Sequence, residues 1–277
     1  MAINIKKIEK QILENIINDY QNGKSMRQIE RDYGVTRQSV AKYLEEQKIK
    51  TTKGNHYRIY NHDEDFFEII NTEEKAYWLG FMFADGYIVN QQNRYGQDQF
   101  GISLAKTDID ALYKFKKSIK ATNPILIYSR KNNYEQPLCR IVMTSQKTVN
   151  DLIDKGCKKQ KSHILEPPKN VPDILIRHFI RGFFDGDGSI TKTYNKTYNK
   201  SIFEINITST QKICEWLQYL FDFGSIVKDK RTEKTYYFSF GGNNQLEYFY
   251  HYLYDNATIW MDSKYNKFQE FLEISRK

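Results

Sequence analysis

Trp78-Leu79-Gly80-Phe81-Met82-Phe83-Ala84-Asp85-Gly86 and Ile180-Arg181-Gly182-Phe183-Phe184-Asp185-Gly186-Asp187-Gly188 decide the fold. Each is an apolar run with small residues four apart, closed by Asp-Gly. On a helix, Gly80 and Ala84 share one face, as do Gly182 and Gly186, and small residues at that spacing let two helix backbones approach closely. Gly86 and Gly188 are expected in the left-handed position just past each helix C-terminus. Asp85 and Asp187 then close their helices, where the dipole disfavours an anion by about 0.3–1 kcal/mol. Two helices packed through their small faces bring those carboxylates together, and like charges so placed favour a cation between them. The expectation is a metal site on a pseudo-two-fold axis, with Asp85, Asp187, Gly86 and Gly188 around it. A single Asp-Gly is ordinary turn punctuation; two copies, each followed by strand-like sequence, are not. A calcium loop starting at Asp185 fails, because its sixth and twelfth positions are Ile190 and Lys196, where Gly and Glu are needed.

Working outward, the sequence repeats. Phe100-Gly-Ile-Ser-Leu-Ala-Lys-Thr107 lies over Phe203-Glu-Ile-Asn-Ile-Thr-Ser-Thr210 at a spacing of 103 residues, Lys161 and Lys264 stand 103 apart, and Asp85 and Asp187 102 apart. Each copy reads helix, hairpin, helix, hairpin, helix. Phe100, Ile102 and Leu104 alternate with Gly101 and Ser103, and Phe203, Ile205 and Ile207 with Glu204 and Asn206. Period two predicts sheets with one face on a core and one face free. Amphipathic helices are predicted at about 108–119 and 211–222. Pro167-Pro168 and Pro172 mark the join, which divides the core into halves at 72–168 and 169–277.

The doubled motif resembles that of the LAGLIDADG homing endonucleases, in the single-chain form that carries two fused half-sites, over residues 72–275. The second copy is close to the family pattern. The first departs at Trp78, its opening position, and at Phe83, where the pattern has its first acidic residue. The resemblance implies an α+β fold, a pseudo-two-fold pair of αββαββα halves. It also implies that Asp85 and Asp187 bind the catalytic divalent metals, here Mg²⁺ with Mn²⁺ as a substitute, and that the substrate is double-stranded DNA. Phosphodiester hydrolysis needs a positioned water and a Lewis acid on the phosphate, and carboxylates with Mg²⁺ supply both. Lys161 and Lys264, at matching places late in each repeat, resemble the family's basic residue near the metals. Lys106, on the second strand with Ser209 as its counterpart, stands where the family often has a polar, water-organising side chain.

The free sheet faces are the expected readers of DNA. They carry amides and hydroxyls suited to base edges in a major groove: Gln91, Asn93, Gln99 and Ser103 in the first copy, Thr191, Thr193 and Asn206 in the second. Arg130, Lys228 and Lys230, placed on the third strands, can reach guanine edges or phosphates. Glu204 is awkward on such a surface, although it could accept from cytosine.

Ahead of the motifs, apolar residues recur at helical spacing over 6–20 and stop at Asn22-Gly23. A short helix follows from Ser25, Gly34-Val35 turns, and Thr36 caps a third helix with Val40, Ala41 and Leu44 inward. That is the helix-turn-helix pattern, over residues 1–46, with Arg37, Gln38, Ser39 and Lys42 on the exposed face of the recognition helix. The rival is a three-helix domain that binds protein. Residues 47–71 read as a linker with a short helix near Asp65–Ile70, and Asn71 with Glu74 as the capping pair that opens the first motif helix.

Composition agrees with a polyanionic partner. Of 277 residues, 42 are Lys or Arg and 34 Asp or Glu, a formal net charge of +8. Cys139, Cys157 and Cys214 are widely spaced and read as buried thiols in a reducing compartment, the cytoplasm, with access to DNA. The start lacks the apolar core of a signal peptide, and no apolar run reaches a membrane span. The five histidines are scattered and no phosphate-cradling glycine loop exists, so neither a nucleophilic triad nor a nucleotide site is expected. The leading expectation is a monomeric, metal-dependent, site-specific double-strand DNA endonuclease of homing type. Its rivals are a non-cleaving LAGLIDADG and helix-turn-helix regulator, which loss of a motif aspartate would mark, and an RNA-binding intron-splicing factor.

Overall fold

The computed structural model describes residues 10–21, 24–49, 60–89, 98–129, 136–159, 164–197 and 199–275. The chain divides into two units, Met1–Asn61 and His62–Lys277.

In the smaller unit, α1 (Lys10–Gln21), α2 (Met26–Tyr33) and α3 (Arg37–Glu46) enclose Ile16, Tyr20, Ile29, Val35, Val40 and Leu44. Ser25 caps α2 through a reciprocal pair: its hydroxyl accepts from the Gln28 amide, and the Gln28 side chain accepts from the Ser25 amide. Gly34, at φ 65°, turns the chain in the left-handed region, and Thr36 caps α3 by accepting from the Ser39 amide. Val40 and Leu44 are buried as the spacing predicts, whereas Ala41 is only half-buried.

The larger unit is two copies of one design. The first runs α4 (Glu73–Ala84), β1 (Gly86–Val89), β2 (Gln99–Ala105), α5 (Ile109–Ser118), β3 (Leu126–Tyr128), β4 (Leu138–Thr144) and α6 (Gln146–Asp154). The second runs α7 (Asp173–Asp187), β5 (Gly188–Asn195), β6 (Lys200–Ser209), α8 (Gln211–Phe221), β7 (Ser225–Lys228), β8 (Tyr236–Gly241) and α9 (Asn243–Tyr254), with α10 (Asp262–Ser275) added. Both antiparallel sheets have the same strand order, β1-β2-β4-β3 and β5-β6-β8-β7. This is the expected α+β pair of αββαββα halves.

α4 and α7 form the seam between the halves. An ideal Cβ at Gly80 would sit 1.9 Å from the Phe179 carbonyl oxygen, and one at Gly182 1.8 Å from that of Tyr77. Tyr77 and Phe179 are 102 residues apart, as are the two glycines, so the close approach is itself two-fold. Every residue of α4 from Ala76 to Ala84 is buried, because its seam and its own sheet occupy opposite sides. Trp78 keeps its indole N–H satisfied by donating to the Ser118 hydroxyl at 2.8 Å.

Six sequence expectations need correction. Gly86 and Gly188 do not adopt positive φ; Gly188 is extended (φ −82°, ψ 156°), and each motif helix runs straight into its strand. Their requirement is steric: a Cβ at Gly86 would lie 2.6 Å from the Met82 carbonyl oxygen, and one at Gly188 2.4 Å from that of Phe184. Thr72, not Asn71, caps α4, accepting from the Lys75 amide at 3.3 Å. Residues 64–68 form turns instead of a helix, and the expected linker 47–71 is too long, because Phe66, Phe67 and Ile70 are buried in the main core. Lys106 follows β2 in a 3₁₀ turn, and Lys230 lies in the turn after β7. The three cysteines are buried free thiols, and no helix among the described residues is long and apolar enough to cross a membrane.

Candidate active site

Asp85 and Asp187 end α4 and α7 side by side. The Asp85 Oδ2 lies 3.2 Å from where a Cβ of Gly186 would stand, so glycine at 186 is what lets that carboxylate lean across the seam. Each aspartate lines its own open cleft. The first, about 280 Å³, is bordered by Asp85, Ser103, Asp108, Gly186, Met261 and Lys264. The second, about 220 Å³, is bordered by Asp187, Leu165, Thr208, Ser209, Thr210 and Thr235. Lys264 comes from the second half yet serves the Asp85 cleft. Its ammonium donates to the Gly188 carbonyl, and burial pushes its proton affinity below the ordinary lysine value, against the opposing pull of Asp185 and Asp85. Lys106 is exposed and does not border the first cleft, where Asp108 does. Lys161 lies outside the described residues, as do Gln91, Asn93 and Arg130.

Beneath the clefts runs a buried polar network that sequence reading missed. Arg181 and Asp185, both 0 % exposed, point from α7 into the seam. The Arg181 guanidinium donates to Glu73 at 2.6 Å, to the Ile259 and Leu253 carbonyls at 2.8 Å each, and to His178 Nδ1 at 2.9 Å. Glu73 also accepts from the Thr258 amide at 2.7 Å. Asp185 accepts from the Tyr77 hydroxyl and the Met261 amide, each at 2.7 Å, and from the Tyr254 hydroxyl at 3.1 Å. Burial pushes the Asp185 carboxyl up to about 6, opposed by those three donors and by Arg181.

Burial pushes His178 down to about 4, and the Arg181 and Arg177 charges add to that while Glu73 opposes it. The native state therefore prefers neutral His178, so its contribution is full above the ordinary value near 6.5 and is lost as pH falls toward 4. The stability gap between wild type and His178→Gln is expected to shrink by up to about 3 kcal/mol between pH 7 and 4. Thermal melts of both proteins across that range check it; a gap that widens on acidification contradicts it.

The free sheet faces follow from register. Ser103 pairs across to Arg140, which pairs with Leu126. Arg140 lies 5.1 Å from the Tyr128 ring centroid, and the Tyr128 hydroxyl is 3.2 Å from that of Ser103. This cation on an aromatic shelf was missed, although the alternation Cys139, Ile141, Met143 around it signals an outward position. In the second sheet Thr191 pairs with Glu204, and Asn206 with Ser189 and Ser239, all on the free face; Thr193 is exposed on the same face. Glu204 accepts from Ser239 at 2.6 Å. Lys228 pairs with Tyr236, which puts it on the face of Ile226 and Phe238, not that of Asn206. In the smaller unit Arg37, Gln38 and Lys42 are exposed on α3; Ser39 accepts from the Thr36 hydroxyl, and Arg37 pairs with Glu30 at 3.0 Å. An exposed pair of that kind is worth about 0–1 kcal/mol and exchanges readily for another anion.

Comparison with known proteins agrees with this architecture. Residues 180–275 match the family model described as LAGLIDADG endonuclease. The fold is shared with the LAGLIDADG meganuclease I-AabMI bound to uncleaved DNA (TM-score 0.53, 15 % identity, 72 % of this chain and 89 % of that one). It is shared also with the meganuclease I-SmaMI bound to uncleaveable DNA (TM-score 0.51, 17 % identity, 71 % and 88 %). A replication factor C small subunit of Methanocaldococcus jannaschii is 28 % identical over 180 residues, 62 % of this chain but only 9 % of that protein's length. Two αββαββα halves joined at a glycine-lined helix pair, each helix closed by an aspartate, are thus the fold shared with these meganucleases, and the match to the LAGLIDADG endonuclease model falls on the second half.

Proposed function

We propose that the protein is a site-specific DNA endonuclease of homing type that hydrolyses phosphodiesters with a divalent metal and acts as a monomer. The observation that carries this reading is the pair of aspartates at abutting helix ends, each with its own open cleft, between two sheets whose outer faces carry hydroxyls, amides and Arg140. The donor set fits a hard cation: it is all oxygen, and among the described residues no cluster of three or more metal-binding side chains surrounds it. Mg²⁺ takes one or two carboxylates and completes its shell with waters and substrate phosphates. Asp85 and Asp187 would hold it, with Mn²⁺ as a substitute. When bound, the ion polarises the phosphate and lowers the pKa of its water. The chain's own part is to present one carboxylate per half and, at Lys264, a half-buried ammonium at the Asp85 cleft to meet developing negative charge. The DNA-bound state of the similar meganucleases supports a duplex substrate. A plasmid library of random target sites, incubated with the protein and Mg²⁺, tests the reading: selected linear products support it, and sequence-selective binding without cutting in Mg²⁺ or Mn²⁺ points to a regulator.

The smaller unit is read as a helix-turn-helix that docks α3 in a major groove flanking the core site. Removing residues 1–61 is expected to shorten the protected footprint and to flatten the salt dependence of binding, which falls by about 0.9 in log K per phosphate contact per decade of salt. Arg37→Ala is expected to relax preference at one or two flanking base pairs by about 1–3 kcal/mol. Nuclease protection and binding isotherms at several salt concentrations measure both. An unchanged footprint and slope would assign this unit to another partner.

A further inference from the structure

We infer that Asp185 is a positioning residue that sets Lys264 at the Asp85 cleft, and that through it the two halves cut their strands under unequal control. The inference rests on the nuclease reading above. It starts from a chain of hydrogen bonds. Asp185 grips the Met261 amide at 2.7 Å, and the Met261 carbonyl accepts from the Lys264 and Tyr265 amides at 3.1 Å each, which opens α10. The other end of Lys264 donates to the carbonyl of Gly188, the first residue after α7. Both the backbone and the ammonium of Lys264 are therefore tied to the helix that carries Asp185. Arg181, one turn earlier on α7, holds the same incoming segment at Leu253 and Ile259. The Tyr77 and Tyr254 hydroxyls fix the carboxylate itself, so it has no freedom to follow the loop elsewhere.

No matching acid exists in the first motif. The residue 102 positions before Asp185 is Phe83, an apolar ring in edge contact with Phe179 at 5.0 Å. The residue matching Arg181 is Leu79. At those two positions α4 therefore offers nothing that could grip a backbone amide. The clefts differ accordingly: Asp85 faces a lysine tethered to the end of α7, while the described border of the Asp187 cleft carries the hydroxyls of Thr208, Ser209, Thr210 and Thr235.

A duplex target labelled separately on each strand, cut at saturating enzyme in a single turnover, reads the two sites independently of binding. Asp185→Asn is expected to slow one strand about 10- to 100-fold, the loss typical of a displaced catalytic group, and to leave the other within about twofold. The slowed strand must be the one that Lys264→Ala slows. Tyr254→Phe, which removes a single donor to Asp185 and keeps the ring, is expected to slow the same strand by a smaller factor. Should Asp185→Asn fail to fold, Tyr254→Phe decides alone. Parallel slowing of both strands, no slowing, or slowing of the strand opposite to that of Lys264→Ala overturns the inference, since a purely structural role weakens both sites together. Wild-type protein that cuts neither strand overturns the nuclease reading itself, and the wild-type lane tells the two failures apart.

Discussion

Asp85→Asn and Asp187→Asn are each expected to lower double-strand cleavage on the order of a thousandfold or more while target binding survives. Asparagine keeps the shape of the side chain and removes the charge that a divalent ion needs. Each carboxylate sits at a helix C-terminus, where an anion costs about 0.3–1 kcal/mol, and that of Asp85 leans across the seam at Gly186. Melting temperature should therefore stay level or rise as activity disappears. That opposition is the diagnostic part, because a substitution that merely damages the core lowers both. Gel-shift affinity, a melt and a cleavage assay on the same preparations measure it. Full double-strand cutting by either variant would sink the metal assignment.

Gly182→Leu carries the largest expected effect on stability. Even an alanine Cβ would stand 1.8 Å from the Tyr77 carbonyl oxygen, and that neighbour is helix backbone that no rotamer change can move. Leucine must separate α4 from α7 along their length, at a cost of about 3 kcal/mol or more, at or beyond the top of the usual range for overpacking. The separation also carries Asp85 away from Asp187, so cleavage falls with stability. Gly80→Ala, facing the Phe179 carbonyl at 1.9 Å, should behave as its symmetry mate. Denaturant titration of both variants checks the pair. Midpoints equal to wild type would contradict the seam as described.

Features encoded by local period or fixed spacing were legible in the sequence. The alternation Phe100, Ile102, Leu104, the 102- and 103-residue offsets and the caps at Ser25 and Thr36 need only neighbours a few positions away, and they led to the halves, the sheets and the small helical unit. Features whose partners arrive from far along the chain were not legible. Nothing near Arg181 announces that Glu73 and the carbonyls of Leu253 and Ile259 will receive it. Phe66, Phe67 and Ile70 form too short and irregular a cluster to show a period, so a packed turn reads as linker. Gly86 and Gly188 misled for a different reason: Asp-Gly suggests a left-handed turn, whereas here glycine is demanded by the carbonyl of the preceding helical turn. At the site, the aspartates were visible by symmetry. The approach of Lys264 to the cleft of the opposite half was not, because it depends on how α10 folds back.

The seam also specifies which helix may lie against which. Its buried charges are divided unevenly: α7 supplies Arg181 and Asp185, and α4 supplies Glu73 and Tyr77 to meet them. At the matching positions, α7 has Leu175 and Phe179 in place of Glu73 and Tyr77. Two copies of α7 laid together would bury two guanidinium groups and two carboxylates stripped of those partners. Each uncompensated buried charge costs several kcal/mol. Two copies of α4 would leave the half-buried Glu73 without its guanidinium partner. The glycines would tolerate either pairing; the charges do not. A halved gene product, or two chains exchanging halves at random, would thus meet a thermodynamic penalty for like-with-like assembly. The duplicated core has become a heterodimer in all but covalent connection.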